Sequence, residues 1–462
     1  MSAANGFPRV LIDGVYFQVG RTGIGRVWTA LLRAWADAGL AEHLLVLDRG
    51  ATAPRQDGVA YLPVAPCDYR YTGDEAARLQ ELCDRERADL FVSTYYTAPL
   101  TTPSLFVAYD MIPEVYGHDL DAPVWREKQY AVQHASGHVA ISRSTARDLA
   151  RFFPGVAEAD VTVAYPGVDA AFRPAAAEEV EGFRARHDLA GRPYFLLVGN
   201  RSGFNGYKNA LLFFRGFARL LERERFAVVC AGGVAELEAE FRPLAGDAAV
   251  RLLEPGDDEL RAAYGGALAL AYPSRYEGFG LPVVEAMACG CPVITCRNSS
   301  LGEVAGDAAL FVPEDDAAAM AAALGRVVEP GPRRELIAAG LRQAAKFTWR
   351  DMAAAVAEAM RRAAARRPAQ IWTEFRRIQA AAQERDKIEQ HLRATKADAE
   401  KLFLQFLHTR MVLQEVRDHV ARVEDYVARI ESTRTWRWRT ALLESKQKVL
   451  RLAERLLSRR AG

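Results

Sequence analysis

The stretch from Ala267 to Thr295 constrains the fold more than any other part of the chain. It contains a short apolar run, a loop with two glycines, a run with helical spacing that begins at Pro282 and ends at Gly290, and a second apolar run from Pro292. Proline at the start and glycine just past the end are typical of a helix. The order strand, helix, strand predicts a parallel α/β layer, which binds ligands where its strands end.

The glycine loop inside this stretch predicts a binding site for an anion. Gly278 and Gly280 allow the backbone to approach a ligand where a helix begins, so free N–H groups and the positive end of the helix dipole face one small volume. Glu277 and Glu285 lie on either side, and an ionised carboxylate pairs with sugar hydroxyls rather than with phosphate. This combination predicts a nucleotide sugar, although an ordinary strand–helix–strand unit with two surface glutamates would have the same pattern.

The string YEGFGLPVVEAMACGCPVI resembles the E-x7-E signature of glycosyltransferase family 4, whose members are retaining enzymes of the GT-B fold. The resemblance covers about residues 8 to 366 and implies an α/β fold of two Rossmann-like domains that face each other across a cleft. It implies that Glu277 contacts the donor sugar as a catalytic residue. The residues that it implies for donor binding in this stretch are Gly278, Phe279, Gly280, Leu281 and Glu285.

A second glycine-rich loop follows the predicted first strand, Val10 to Ile12, and precedes a helix predicted from about Arg26 to Asp37. Its glycines do not have the G-x-G-x-x-G spacing, so a dinucleotide-binding fold is disfavoured. In the resembled family this GIGR stretch approaches the donor diphosphate and the acceptor, which implies that Gly23 and Gly25 bind the donor. A tight turn from strand to helix is the plainer interpretation.

Asp110 ends a predicted strand in the string VAYDMIPEVYG, and a carboxylate at the carboxyl end of a strand is well placed for a site. The resembled family commonly has His-Asp here, with the histidine near the sugar. Tyr109 stands at the histidine position in this chain, so the resemblance assigns no sugar contact to it. Asp110 remains a catalytic candidate.

The loop NRSGFNGYKN, which follows the predicted strand Tyr194 to Val198, carries two cations and two glycines. A diphosphate held by one helix dipole keeps most of its charge, so Arg201 and Lys208 would complement it. In the resembled family an Arg and a Lys of this loop bind the pyrophosphate. The spacing is longer here, so Lys208 is the firmer of the two donor-binding predictions, and two solvated loop cations are the alternative.

The passage YPGVDAAFRP, residues 165–174, resembles the P-x-G-V-D-x-x-F passage between the two domains of the family. We therefore predict an acceptor domain over residues 1–166, a linker over 167–192 and a nucleotide-sugar domain over 193–346. By the same resemblance, a helix over 347–367 crosses back onto the first domain.

The sequence gives little support for a metal or cofactor. Asp119 and Asp121 form a D-x-D string, but it lies in a polar loop rather than after a buried strand, so we expect no obligatory metal and no other cofactor. The six cysteines form no C-x-x-C pair, which predicts reduced thiols. Cys289, Cys291 and Cys296 are predicted to fill the core rather than to bind a metal.

Composition sets wider bounds. The chain has 462 residues, half of them hydrophobic, which is enough for two or three domains, and its net charge of +1 gives no reason to expect a nucleic-acid partner. The sequence begins without a basic-then-apolar leader pattern, and no apolar run approaches about 18 residues. We therefore expect a cytoplasmic enzyme.

A heptad pattern occupies residues 370–431. From Ile388 the apolar residues fall at a 3,4 spacing for about six heptads, with charges between them. This predicts a coiled coil outside the family pattern, and hence a homo-oligomer or a helical partner. Thr395 and Thr409 fall on the apolar seam and would weaken a dimer, and a long helix packed on the enzyme's own surface is the alternative.

Residues 432–462 carry nine Lys or Arg and two Glu, a net charge of +7. Together with Trp436, Trp438 and a leucine-rich face, this charge predicts a basic amphipathic helix that lies on the inner face of an anionic membrane. A solvated basic helix is equally compatible with the pattern.

The resemblance implies transfer of a mannose- or glucose-type hexose from a nucleotide-diphosphate sugar to a hydroxyl of a glycan or a lipid-linked glycan. Surface polysaccharide or lipopolysaccharide assembly is the setting suggested by analogy. The sequence leaves other classes open: a phosphorylase or an epimerase of the same fold, or a coiled-coil scaffold with an inactive transferase domain.

Overall fold

The computed structural model describes residues 6–20, 22–67, 69, 74–201, 206–366, 371–431 and 437–458. The chain divides into two compact units, Met1–Glu384 and Arg385–Gly462. The first unit holds two parallel sheets, and the second is helical.

The N-terminal sheet has seven strands. They are β1 (Val10–Asp13), β2 (Leu44–Arg49), β3 (Ala60–Val64), β4 (Leu90–Ser93), β5 (Ser104–Ala108), β6 (Gly137–Ala140) and β7 (Val161–Val163). Their helices are α1 (Gly23–Asp37), α2 (Asp74–Glu86), α3 (Ile112–Val115), α4 (Pro123–His134) and α5 (Arg143–Phe152). The strand order is β3-β2-β1-β4-β5-β6-β7, and all neighbours are parallel. Every residue of β1, β4 and β5 is buried, as in a parallel sheet covered on both faces.

The C-terminal sheet has six strands. They are β8 (Tyr194–Val198), β9 (Ala227–Ala231), β10 (Ala249–Leu253), β11 (Leu270–Tyr272), β12 (Val293–Thr295) and β13 (Leu310–Phe311). Its helices are α6 (Ala177–Arg186), α7 (Ala210–Phe217), α8 (Arg242–Ala245), α9 (Asp257–Gly266), α10 (Leu281–Ala288), α11 (Leu301–Ala305), α12 (Ala317–Arg326) and α13 (Pro330–Ala344). The order is β10-β9-β8-β11-β12-β13, again parallel throughout. The predicted strand, helix and strand of residues 267–295 are confirmed as β11, α10 and β12.

Both sheets reverse their winding once. From β1 the chain moves outward through β2 and β3 and then returns to β4 on the other side of β1; β8 and β11 have the same relation. Such a switch point leaves a crevice at the carboxyl ends of the two strands, where open α/β sheets bind ligands.

The segment predicted as a linker contains a helix. Helix α6 lies within residues 167–192, and its Phe183 is fully buried, with its ring centroid 6.0 Å from that of Tyr194 at the start of β8. The alanine- and glutamate-rich run before Phe183 has the composition of a solvated segment. The sequence therefore gave no sign that Phe183 anchors this helix in the core. The second half of the connection therefore packs as part of the C-terminal domain.

Helix α14 (Trp349–Ala365) lies in the segment predicted to cross back, and it contacts the first domain. Trp35 Nε1 of α1 donates to the Ala353 carbonyl at 2.9 Å, and Arg362 donates to Thr162 Oγ1 at 2.8 Å. The connection between the two domains passes close to the start of this helix. A Cβ on Gly167 would lie only 2.1 Å from the Trp349 nitrogen.

The second unit contains most of α15 (Ile371–Glu431) together with α16 (Arg437–Ser458). Lys446 of α16 lies 2.7 Å from Glu424 of α15, so the second helix turns back beside the first. Several large apolar side chains of α15 are exposed, among them Ile388, Leu392, Leu402, Phe403, Leu404, Phe406 and Met411. Within the described ranges, no helix is both long enough and apolar enough to cross a membrane.

Gly167→Ala should destabilise the joint between the domains by about 2 kcal/mol, because the added methyl group meets main-chain atoms that cannot rotate away. Thermal or urea unfolding measures the loss. Gly182→Ala in α6 is the matched control: its methyl group would lie 3.6 Å from the end of the Arg186 side chain, so this variant should be as stable as the parent or more stable. Equal stability of Gly167→Ala and the parent would contradict the packing.

Candidate functional site

The loop 273–280 after β11 brings the two domains into contact. The Tyr276 hydroxyl donates to Asp148 Oδ2 at 2.8 Å and accepts from the Met111 N–H at 3.2 Å. A Cβ on Gly278 would lie 1.7 Å from the Tyr109 carbonyl oxygen. We expected Gly278 to make room for a ligand, but in the structure it makes room for the other domain.

A second contact between the domains comes from Glu303 of α11. Its carboxylate accepts from the Arg143 and Ser144 N–H groups at 3.1 and 2.9 Å, and from the Tyr165 hydroxyl at 2.8 Å. The glutamate therefore caps the N-terminus of α5 from the opposite domain. Sequence reasoning missed this contact, since its partners lie between 138 and 160 positions away.

Lys208 and Glu277 meet at the switch point between β8 and β11. Lys208 Nζ lies 2.6 Å from Glu277 Oε1 and 2.8 Å from the Tyr272 hydroxyl. Ser274 Oγ donates to the same carboxylate oxygen at 2.6 Å. Burial disfavours the charged amine, but Glu277, Tyr272 and Tyr207 raise the pKa of Lys208 well above its usual value. The structure thus brings a cation and an acceptor-only carboxylate of the predicted site into contact.

Asp110 reaches the same region from the N-terminal side. Its main-chain carbonyl accepts from the buried Lys128 amine at 3.2 Å. Burial raises the pKa of Tyr207, Lys208 lowers it, and Glu277 and Asp110 raise it again. One phenol therefore lies within range of carboxylates from both domains.

Tyr109 does not face this region. Its side chain is 4% exposed, and its hydroxyl accepts from Trp28 Nε1 and donates to the Thr94 carbonyl at 3.2 Å. The pKa of Tyr109 is raised well above its usual value, mainly by burial. The residue at the family's histidine position is thus part of the core of the first domain.

Two helix N-termini converge beside the lysine–glutamate pair. Thr22 caps α1 by accepting from the Gly25 N–H at 3.4 Å, and Gly280 precedes α10 with φ of +99°, which favours glycine. A Cβ on Gly23, the first residue of α1, would lie 3.4 Å from Leu281 Cδ1, the first residue of α10. Helix α1 starts three residues earlier than predicted, because Thr22 caps it, so both glycines belong to its first turn. Two positive dipole ends lie close together at this point.

Phe279 contributes main chain alone. Its ring is 3% exposed and packs against Phe347 and Tyr165, with centroids 5.4 and 6.2 Å away. Its carbonyl accepts from Ser300 Oγ at 2.9 Å. The predicted donor-binding role of this residue is therefore limited to its backbone.

Glu285 is the fifth residue of α10, in the second turn of the helix rather than the first. Its carboxylate accepts from Arg26 at 3.0 Å and from the Tyr264 hydroxyl at 3.3 Å, and Arg26 also contacts Asp257 at 2.7 Å. Burial raises the pKa of Glu285 to about 7, and Arg26 and the hydrogen bond from Tyr264 oppose this rise. Arg26 was not predicted as a site residue; the early start of α1 places it within reach of the other domain.

Arg201 is bound to the loop after β9 instead of forming a pair of cations with Lys208. Its guanidinium donates to the carbonyls of Gly232 and Val234 at 2.8 and 2.9 Å, and to Glu238 at 3.0 Å. Its side chain is 2% exposed. Residues 202–205, between Arg201 and Lys208, lie outside the described residues. The donor contact of Arg201 stays a prediction; in this structure its guanidinium holds the loop after β9.

The described residues include all six cysteines and the D-x-D string. All six cysteines are unpaired thiols, and Cys289, Cys291 and Cys296 lie in the hydrophobic core. Asp121 pairs with Arg126 at 2.9 Å. Across the described ranges of the chain, no group of three or more His, Cys, Asp or Glu side chains could hold a metal ion.

Two family models match the chain in succession. The model described as Glycosyltransferase Family 4 matches residues 21–172, and the one described as Glycosyl transferases group 1 matches residues 192–330. Together they cover more than half of the chain.

Curated relatives match over shorter lengths. The O-antigen chain mannosyltransferase B of Escherichia coli is 43% identical over 96 residues, which is 21% of this chain and 25% of that protein. The D-inositol 3-phosphate glycosyltransferase of Xylanimonas cellulosilytica is 31% identical over 255 residues, 52% of this chain and 60% of that protein. The chain thus spans between a quarter and about three fifths of the length of these two relatives.

Solved structures share the fold over the first unit. The glycosyltransferase WaaG, involved in lipopolysaccharide biosynthesis, matches with a TM-score of 0.61 and 15% identity over 76% of this chain and 98% of that one. Anabaena HepE, solved with UDP and glucose, matches with a TM-score of 0.60 and 16% identity over the same shares. Because the two sheets have the GT-B arrangement and consecutive family models cover both, this chain belongs to glycosyltransferase family 4.

Proposed function

We propose that the chain is a retaining hexosyltransferase that moves a mannose- or glucose-type hexose from a nucleotide-diphosphate sugar to a hydroxyl of a glycan or a lipid-linked glycan. Surface polysaccharide or lipopolysaccharide assembly is the proposed setting, in line with the roles of the O-antigen chain mannosyltransferase and of WaaG. The observation that carries the proposal is the Lys208–Glu277 pair beside two converging helix N-termini, opposite Asp110.

The donor fits this arrangement group by group. The diphosphate would lie at the N-termini of α1 and α10, where Gly23, Gly25 and Gly280 leave the main chain accessible, with Lys208 as its cation. Glu277 would accept hydrogen bonds from the sugar hydroxyls. Glu285, further along α10, would hold the ribose.

The chemistry follows from where charge develops. As the bond between sugar and diphosphate breaks, negative charge grows on the leaving oxygen, and a fixed ammonium with two helix dipoles stabilises it without reorganisation. Retention is consistent with substitution on the front face, in which the leaving diphosphate accepts the proton of the attacking hydroxyl. Asp110 would orient that hydroxyl from the acceptor side.

The alternatives differ in what they would consume. A phosphorylase or an epimerase with the same site would cleave with phosphate or isomerise the sugar without an acceptor. A scaffold with an inactive domain would bind no nucleotide sugar. Lys208 and Glu277 are largely buried and are hydrogen-bonded to Tyr272 and Ser274, and such a charged pair costs stability unless its geometry is good, which supports a working site.

We also propose that α15 joins two copies of the chain. Its seam residues Ile388, Leu392, Leu402 and Phe406 are between 53% and 67% exposed, which is unusual for large side chains in heptad register. The seam threonines, such as Thr409, which donates to the Gln405 carbonyl at 2.8 Å, satisfy their hydroxyls within the helix. A second copy would cover this face.

The basic tail is proposed to contact anionic lipid headgroups from the cytoplasmic side. Helix α16 exposes Val449 and Leu452 beside its cations. Trp436 lies outside the described residues, as does the side chain of Trp438.

Lys208→Ala should lower the rate of sugar transfer by about two orders of magnitude, because one preorganised charge stabiliser of a leaving group contributes about that much. Nucleotide release from GDP-mannose and UDP-glucose measures the rate. Lys346→Ala is the control, since this exposed lysine contacts Gln343 on α13. A near-normal rate for Lys208→Ala would remove the assignment.

Donor binding should strengthen between about pH 6 and about pH 8, because the pKa of Glu285 is about 7 and only its ionised form is acceptor-only. Titration calorimetry with GDP or UDP measures the trend, and Glu285→Gln should flatten it.

A raised pKa means that the folded state holds the proton more tightly, so this group stabilises the fold below its ordinary pKa of 4.5 and loses that contribution as the pH rises through about 7. The thermal midpoint of the parent should therefore fall relative to that of Glu285→Gln as the pH rises from about 4.5 to about 7. Parallel curves would contradict the pKa shift.

Replacing Leu402 and Phe406 together by glutamate should convert the chain from a dimer to a monomer, because two charges would enter the apolar seam. Sedimentation equilibrium of the full chain measures the mass. Glu400→Lys changes an exposed position outside the seam and should leave the dimer intact. A parent chain that is monomeric at micromolar concentration would contradict the proposed dimer.

A further inference from the structure

Two tyrosines lie at the switch point of the N-terminal sheet. Tyr16 is in the short 3-10 turn Val15–Val19 after β1, and Tyr95 follows β4. These strands are neighbours whose last residues, Asp13 and Ser93, are paired in register. The two rings therefore lie together where the sheet leaves its crevice, with centroids 4.8 Å apart.

The tyrosines form the outer layer of an aromatic wall. The rings of Tyr95 and Tyr96 are stacked, with centroids 3.6 Å apart. The ring of Tyr69 meets that of Tyr95 edge to face, with centroids 6.3 Å apart. Tyr96 is 2% exposed, whereas Tyr16 and Tyr95 are half-buried. Half-buried phenols offer an apolar face and a polar edge together. A sugar ring has the same division, with C–H groups on one face and hydroxyls at its rim.

Hydrogen bonds from the strand ends hold this wall in place. The Tyr16 N–H donates to Thr94 Oγ1 at 2.9 Å, and that hydroxyl donates to the Asp13 carbonyl at 2.7 Å. The Tyr95 N–H donates to Ser93 Oγ at 3.1 Å. The wall is thus preorganised, which lowers the entropic cost of binding.

The charges around the wall favour a neutral ligand. Below it, the buried Arg49 is bound by the carboxylates of Asp13 at 2.6 Å and Glu75 at 2.8 Å, so its positive charge is more than balanced. Burial raises the pKa of Tyr95, a hydrogen bond with Tyr96 lowers it, and Asp110 raises it further. A phosphate at this position would meet carboxylates.

The wall also reaches the donor site. Burial raises the pKa of Tyr16, a hydrogen bond with Thr22 lowers it, and Asp110 raises it. Thr22 is the N-cap of α1, beside the proposed diphosphate position, and Asp110 also acts on Tyr207 next to Lys208. A ring on the tyrosines would have its hydroxyls near the bond to be broken.

We propose that Tyr16 and Tyr95 form the acceptor subsite and that it takes a neutral saccharide ring rather than a phosphorylated polyol. This rests on the proposed transferase function and specifies its acceptor. The two curated relatives differ in this respect, since one is named as an O-antigen chain mannosyltransferase and the other as a D-inositol 3-phosphate glycosyltransferase. The aromatic wall favours a saccharide acceptor for this chain over an inositol phosphate.

The test measures binding of small acceptor probes to the full chain by saturation-transfer NMR in the presence of GDP or UDP. Methyl α-mannoside and methyl α-glucoside are the neutral probes, and inositol 1-phosphate is the charged one. Tyr16→Ala and Tyr95→Ala should each weaken binding of a neutral probe by about tenfold or more, and Tyr95→Phe should restore most of it. In transfer assays, the KM for the acceptor should rise more than the KM for the donor.

Tyr61→Ala is the matched control. Tyr61 is a half-buried tyrosine on edge strand β3 of the same sheet, with its hydroxyl bonded to the Pro54 carbonyl at 2.8 Å. Its loss should leave probe binding unchanged, and melting temperatures of all variants check folding. The proposal is wrong if no neutral probe binds, if the tyrosine variants bind it as the parent does, or if inositol 1-phosphate binds more tightly.

The two proposals fail separately. Tyrosine-dependent binding of a neutral probe with no transfer from any nucleotide sugar would overturn the transferase proposal and keep the subsite. Transfer to a neutral acceptor that does not depend on the tyrosines would keep the transferase and overturn the subsite.

Discussion

The main chains of the two domains touch at Gly278, where even a methyl group would lie 1.7 Å from the Tyr109 carbonyl oxygen. This contact fixes the rest of the site, because a loop with no side chain at that point can lie flat between the two sheet edges. The neighbouring Glu277 then faces the switch point of its own sheet, while Asp110 arrives from the opposite one. Tyr276 and Glu303 hold the contact from either side through hydrogen bonds to the first domain. The geometry of the reaction centre is thus set by how closely two backbones approach.

Buried charges in this fold are tolerated because each has several partners. Removing an ion from water costs several kcal/mol, and a single counter-ion rarely compensates. Lys208 has a carboxylate and a phenol, and Arg49 has two carboxylates and a carbonyl. Glu285 is the exception: with Arg26 and a longer bond from Tyr264, its pKa still rises to about 7. In the proposed donor complex, the ribose hydroxyls would supply this carboxylate with a further partner.

Local patterns predicted the parts of the structure that local physics determines. The proline and glycine that bound α10 and the apolar runs around it appear where expected. Contacts between distant segments were not predictable in this way. Arg26 finds Glu285 at a separation of 259 residues, and nothing in the sequence around either residue marks the other. The contacts of Arg201 were not predictable for the same reason, because the loop carbonyls that it binds lie more than 30 residues away.

The two switch points have the same topology but opposite chemistry, and this difference gives the site a direction. Loops after β8 and β11 supply charge, which suits a diphosphate that gains negative charge as it leaves. Loops after β1 and β4 supply phenols over a buried network in which carboxylates outnumber the cation. In the proposed transfer reaction, an anionic leaving group would therefore be retained on one side and repelled from the other, with Asp110 at the boundary. A fold built from one sheet would have to place both environments at a single crevice, whereas two sheets facing each other keep them apart and let them meet along one line.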